Sequence, residues 1–252
     1  MTGKIKIALC LSGEPRYSMV CFPYIYESFI DIEKEFDVDI FTHFRTNFRS
    51  LFLYKPKGYL YEPNSKNTLF THLDSLSLPS ELKQQKSFYD AYTDQTNIII
   101  NPIMMFDAIK KCTNLALNYD KYDIIIRCRF DFITDNKLNI SSIIKDILSE
   151  KYNLFIPKKD FRTPKEIHQS EIEYNDQLAI GDPNSMEYYS NLIEYLPKLL
   201  NITKEWRSER WLYEYLNQSN IKIHQHSLPL FLLRSAQIES NRGNPDLGFY
   251  NI

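Results

Sequence analysis

The chain has 252 residues, 43% of them hydrophobic and 25% charged, the proportions of an ordinary globular protein with a substantial core. A formal charge of −2 lacks the basic excess of a general nucleic-acid binder, and no apolar run approaches the ~20 residues of a membrane span. The four cysteines, Cys10, Cys21, Cys112 and Cys128, show no metal-ligand spacing, and buried reduced thiols act as small hydrophobes.

Lys4–Leu11 reads as a strand ending in the polar turn Ser12-Gly13-Glu14-Pro15-Arg16. No secretory leader is read before it, so a cytoplasmic, reducing setting is expected. A helix is expected from Val20 to Phe36, with Ile25, Phe29, Ile32 and Phe36 as its stripe and Pro23 near its start. Asp37–His43 forms a second strand, and this βαβ opening implies a mainly parallel sheet. Residues 44–96 carry Pro56, Pro63 and Pro79 without sustained periodicity. Short helices over a sheet edge are expected there. Ile98-Ile99-Ile100 reads as a short strand, and Pro102 opens a helix whose face carries Met105, Ile109, Cys112 and Leu115 or Ala116.

Tyr122-Asp123-Ile124-Ile125-Ile126 has the three consecutive β-branched residues of a strand covered on both faces. It runs into Arg127-Cys128-Arg129-Phe130-Asp131. Next come a helix near 140–150, a strand at Tyr152–Ile156 and a polar loop through Gln169. Asn175-Asp176-Gln177 precedes an apolar run, and Asp182-Pro183 has the cap and first residue of a helix. A Tyr-rich helix to Leu200 and another over Glu205–Leu216 form a helical C-terminal region. Ile221–His226 and Pro229–Leu233 close as strands, and residues 235–252 read as a flexible tail. The whole describes one α/β domain with a Rossmann-like, mainly parallel central sheet flanked by helices.

In such sheets ligands gather beyond the carboxyl ends of the strands. Two guanidinium forks at Arg127 and Arg129 suit a phosphate, and the carboxylate of Asp131 suits a hydroxyl or a divalent cation. Alternation in an extended segment directs all three to one side. The competing reading is a structural ion pair between Asp131 and one arginine. Gly13 permits close backbone approach and Arg16 suits a phosphate or a base, although the turn has neither dinucleotide nor P-loop spacing. Asp176 suits a general base, against the plainer role of turn or cap. Glu209 reads as part of a solvated helix face, His224 and His226 as structural histidines, and His43 as a strand end of plain structural role, where an imidazole or carbonyl could alternatively meet a base.

Four phrases in order resemble a group of bacterial and large-DNA-virus glycosyltransferases: Ile7–Arg16, Asp37–His43, Tyr122–Asp131 and Asn175-Asp176-Gln177. The resemblance implies a GT-A-like fold and transfer of a sugar from a nucleotide-diphosphate sugar, most simply a UDP-sugar, to a glycan or other hydroxyl acceptor. It implies that 1–135 is the nucleotide-sugar half and 136–234 the acceptor half. Ser12, Gly13 and Arg16 would hold the nucleotide, Arg127 and Arg129 the diphosphate, Asp131 a manganese or magnesium ion, and Asp176 would be the catalytic base. For a viral chain the setting becomes the host cytoplasm. The usual paired acids are absent at 129–131, so metal and arginine compete for the diphosphate charge. The alternatives are a sulfo- or nucleotidyltransferase using the same arginines, or a non-catalytic carbohydrate-binding protein.

Overall fold

The computed structural model describes residues 3–13, 15, 17–32, 36–45, 53–62, 96–134, 138–158, 173–203, 207–228 and 230–232, with the backbone alone for 96–100 and 230–232. In chain order the elements are β1 (Ile5–Ser12), α1 (Ser18–Ile25) with a π-helical turn (Tyr26–Ile30), β2 (Phe36–Phe44), β3 (Gly58–Tyr61), α2 (Thr96–Tyr119), β4 (Ile124–Cys128) and β5 (Phe132–Thr134). There follow α3 (Ile140–Leu148), β6 (Leu154–Lys158), β7 (Leu178–Gly181), α4 (Pro183–Ser190), α5 (Leu192–Thr203), α6 (Ser208–Leu216), β8 (Ile223–Ser227) and β9 (Leu230–Leu232).

Seven strands form one sheet in the order β3-β2-β1-β4-β7-β6-β8. Adjacent strands run parallel except at β7, which is antiparallel to both β4 and β6. The α/β, mostly parallel expectation therefore holds. Strands from both halves of the chain share this sheet. β5 and β9 form a separate antiparallel pair, which brings the end of the described chain back beside the β4 exit.

Each face of the sheet carries its own core. Ala8, Cys10, Phe41 and Ile125 pack under α2, α4, α5 and α6; Ile7, Leu9, Leu11, Ile124 and Ile126 pack under α1 and α3. Burial on both faces explains why β1 and β4 are uninterrupted apolar runs, each large side chain contributing about 1.5–3 kcal/mol. The α2 stripe is Ile103, Phe106, Ile109, Cys112 and Ala116, while Met105 is only partly buried.

Three helix expectations change. Ile98–Ile100 lies inside α2, with Pro102 in its interior; a short apolar run bounded by a proline has no periodicity of its own to separate helix from strand. The first helix starts at Ser18 and ends its π turn at Ile30, not Phe36. Pro23 lies inside it without an N–H to donate, and the wider π turn follows directly. The Tyr-rich helix divides into α4 and α5 at Asn191. As expected, Asp182 caps α4, its carboxylate accepting from the Ser185 amide at 2.9 Å and hydroxyl at 2.8 Å. In the region 44–96, the described part holds β3, an edge strand. The 235–252 tail lies outside the described residues, as does Arg16. All four cysteines are free and buried.

Candidate functional site

From β1 the chain builds β2 and β3 on one flank, whereas β4 joins the other flank. The strand order thus reverses between β1 and β4, the position where a crevice opens beyond the strand ends. Their parallel register runs to Leu11 opposite Cys128, so the Ser12–Gly13 turn and the β4 exit sit side by side. Gly13 has φ +120°, a conformation that favours glycine, and its N–H donates to the His43 carbonyl at 3.3 Å. Ser12 is buried, and its hydroxyl has no partner among the described residues.

His43 stands opposite Ser12 at the end of β2. Its ring is fully buried, with Nε2 3.1 Å from Glu62. Glu62 also accepts from Lys111 at 2.7 Å, and Asp107 joins Lys111 (2.9 Å) to Arg45 (3.0 Å). Burial pulls the imidazole below its ordinary value, against the upward pull of Glu62. This chain of polar and charged contacts ties β2 and the end of β3 to α2 behind the Ser12–Gly13 turn.

At the β4 exit the two arginines part company. Arg127 is opposite Cys10 and Ala179 in the sheet register, hence on the α2 face. It is 0% exposed, and its Nη1 donates to the Asp176 carbonyl. Its Nε and Nη2 have no partner among the described residues. Arg129 instead grips Asp131 with two prongs, Nε to Oδ1 at 2.7 Å and Nη2 to Oδ2 at 2.8 Å. Its side chain remains 28% exposed, against 5% for Asp131.

The expected common side for Arg127, Arg129 and Asp131 is not what forms. β4 ends at Cys128, and a turn at Phe130–Asp131 breaks the alternation. Asp131 consequently feels Cys21 of α1 and Cys128, while Arg127 feels Cys112 of α2 and Tyr189 of α4. Burial pushes the Cys21 and Cys128 thiols up to about 12, with Asp131 adding to both shifts. Both therefore stay protonated and inert.

Asp131 tests poorly as a cation ligand in this arrangement. Both of its oxygens lie in the Arg129 fork, and no group of three metal-ligating side chains assembles among the described residues. A cation here would have to displace the guanidinium. His224 and His226 are exposed on the edge strand β8, where the His224 ring stacks on Tyr152 at 4.7 Å.

The Asp176 segment is clasped to the start of α6. Glu173 pairs with Arg207 at 2.6 Å, the Tyr174 N–H donates to the Glu209 carbonyl at 3.1 Å, and Asn175 turns the chain by accepting from the Gln177 N–H at 2.8 Å. Arg127 holds the Asp176 carbonyl from below. Ser208 and Glu209 of α6, together with Arg127 and Arg129 of the β4 exit, act electrostatically on the Asp176 carboxylate. Burial raises its pKa, Glu209 raises it further, and the arginines and Ser208 oppose the rise.

Sequence patterning missed Ser208, Glu209 and Tyr189. Glu209 was expected on a solvated face of a helix beginning at Glu205. The helix begins at Ser208, which places Glu209 in its first turn, beside Asp176. Tyr189 is fully buried with its hydroxyl unpartnered among the described residues, and burial pushes it up to about 12. A Tyr-Tyr pair in a Tyr-rich helix offered no signal distinguishing it.

Taken together, the carboxyl ends of β1 and β4 and the segment before β7 bring Ser12, Gly13, Arg127, Arg129, Asp131 and Asp176 from three separate stretches of chain to one end of the sheet. It offers cationic surface at Arg129 and a proton acceptor at Asp176. No protein-family model matches the chain, and no curated protein is similar to it in sequence. No described helix is long and apolar enough to cross a membrane.

Proposed function

We propose that the protein is a glycosyltransferase of GT-A-like fold, moving a sugar from a nucleotide-diphosphate sugar to a glycan or other hydroxyl acceptor. The observation that carries the reading is Asp176, a half-buried acid of raised pKa, beside two arginines at the strand-order reversal. In sugar transfer, negative charge grows on the departing diphosphate as the C1–oxygen bond breaks. The part-exposed Arg129 guanidinium meets that charge, and Arg127 adds its field from within the core. Asp176 takes the acceptor hydroxyl proton as the acceptor oxygen bonds to C1. A raised pKa suits a base working near neutrality. In-line attack of this kind inverts the anomeric configuration. In this reading the nucleotide lies over the Ser12–Gly13 turn, where the glycine has open space beside it and the buried Ser12 hydroxyl is unpartnered among the described residues.

A melting screen across nucleotides and nucleotide sugars, each with and without manganese, tests the reading. A ligand at a hundred times its dissociation constant adds about 2.7 kcal/mol. Stabilisation by UDP or another sugar-carrying nucleotide, followed by release of the sugar, is the expected result. No response to any nucleotide sugar in either arm overturns it. Preferential stabilisation by adenosine bisphosphate moves the assignment to sulfo transfer. A response only with manganese shows that a cation takes Asp131 from Arg129.

A further inference from the structure

Arg127 is tied down on one edge only. Its Nη1 donates to the Asp176 carbonyl, whereas Nε and Nη2 have no partner among the described residues. These are the same two nitrogens with which Arg129 grips both oxygens of Asp131, at 2.7 and 2.8 Å. That edge of a guanidinium matches the paired oxygens of one carboxylate or phosphate. For Arg129 the chain itself supplies them. For Arg127 no described carboxylate does, and Asp176 hydrogen-bonds to it through the carbonyl alone.

The surroundings of that edge are polar donors inside a core. Arg127 lies between Cys10 of β1 and Ala179 of β7, its partners in the sheet register. α2 closes over this place: the Cys10 thiol donates to the Cys112 carbonyl at 3.8 Å, and the Cys112 thiol to the Leu11 carbonyl at 3.7 Å. α4 packs against α2, β4 and β7 and carries Tyr189 into the same core. Because β7 is antiparallel to β4, Asp176 lies beyond Ala179 toward the carboxyl end of β4, and its carbonyl draws the guanidinium that way. Ser12 stands at that end of β1, two residues after Cys10 and on the same face. The Ser12 and Tyr189 hydroxyls are both buried, at 1% and 0% exposure, and both unpartnered among the described residues. Each has a proton to give to an oxygen, and Arg127 supplies the charge. Protein interiors seldom leave such groups unanswered, and a buried guanidinium without an anion is the costliest of them.

We propose that the Nε–Nη2 edge of Arg127 is an oxyanion-binding site built into the core beneath α2 and α4. It takes one carboxylate or phosphate group by two parallel N–H contacts, and the Tyr189 and Ser12 hydroxyls complete the shell. The site is separate from Arg129, whose matching edge is already engaged by Asp131 at a part-exposed turn. Its enclosure suits a group of few atoms: inorganic phosphate, a small carboxylic acid, or one phosphate of a larger ligand reaching in from the strand ends. The site goes beyond the glycosyl-transfer reading and does not need it.

Calorimetric titration with inorganic phosphate and with acetate, at constant ionic strength, tests the site without any nucleotide. A failed nucleotide screen therefore leaves its result standing. Saturable binding of at least one of these anions to the wild type is expected, with affinity at least about tenfold lower in Arg127→Met, equivalent to about 1.4 kcal/mol. Arg129→Lys should keep the wild-type affinity for that anion. Absence of saturable binding of either anion to the wild type overturns the proposal, as does a loss that follows Arg129 and not Arg127. Should Arg127→Met fail to fold, Tyr189→Phe removes one donor and leaves the ring in the core: severalfold weaker binding upholds the site, and unchanged binding rejects it. Titrating UDP into protein saturated with phosphate then separates the sources. Independent binding identifies a free oxyanion, mutual displacement identifies a phosphate carried by the nucleotide, and both keep an oxyanion on Arg127.

Discussion

Arg127 and Arg129 stand two residues apart, yet one is unsatisfied and the other is answered in full. Arg129 closes a two-pronged fork on Asp131 at a partly exposed turn. Arg127 is buried with two of its nitrogens unpartnered among the described residues, beneath an acid that is itself crowded by another acid. A complete ion pair is what a fold uses to hold a turn. A buried cation with idle donors is costly, since its desolvation is not fully offset. Such a cost, placed at the strand-order reversal, marks where chemistry takes precedence over stability.

The largest expected effect is at Asp176. Asp176→Asn should reduce transfer by about 10²–10⁴-fold, roughly 3–5 kcal/mol of barrier, in single-turnover assays with the donor found by the screen. The same variant should gain stability as pH rises. Burial, then Glu209, holds the folded pKa of Asp176 above its unfolded value. The stability this group contributes is therefore complete below the unfolded pKa and is lost as pH climbs through the folded one. Asparagine escapes that loss, so the melting advantage of the variant over wild type should widen across the range from the ordinary carboxylate pKa upward. A constant difference across that range would remove Asp176 from the unsatisfied region.

Next in size is Arg127→Ala. It removes the donor to the Asp176 carbonyl and leaves a large void on the α2 face, for a cost of about 3 kcal/mol in urea unfolding. Arg127→Met refills most of the void without the charge. If it restores stability while donor binding stays weak, the buried cation serves the ligand. If it restores both, Arg127 is a structural prop and the contrast with Arg129 disappears.

The sequence reads these two arginines alike, although much around them is legible. The run Ile124–Ile126 and the cap at Asp182 were legible because local patterns decide them: β-branched burial in one case, a side chain accepting its own helix's amide in the other. The direction of Arg127, Arg129 and Asp131 depended on where β4 stops, and strand ends leave little trace in composition. Glu209 was illegible for a related reason. Its meaning turns on a helix start at Ser208 and on contact with a segment about thirty residues earlier, which periodicity within α6 does not report. Likewise the apolar run before Pro102 resembled a strand because its helical context lies mainly on the far side of the proline.

Arg129→Lys should come third. A lysine keeps the charge but replaces the planar fork with a point, so the two contacts to Asp131 become one. Loss of about 1 kcal/mol in stability is expected at this part-exposed position, with donor affinity down about tenfold by calorimetry. Equal donor affinity in wild type and variant would confine Arg129 to holding its turn.

The smallest effect sharpens the contrast from the satisfied side. Asp182 spends both carboxylate oxygens on Ser185, at 2.9 and 2.8 Å, and it opens α4, the helix that carries Tyr189 toward the site. Asp182→Ala should cost about 1 kcal/mol, the usual value of a helix N-cap. Because that interaction is complete within its own turn, neither the Asp176 titration nor nucleotide binding should change. If either moves, the α4 start is mechanically joined to the crevice, and the boundary between satisfied scaffold and unsatisfied site must be drawn to include it. If neither moves, the α4 cap belongs to the scaffold alone and contributes nothing to the site chemistry.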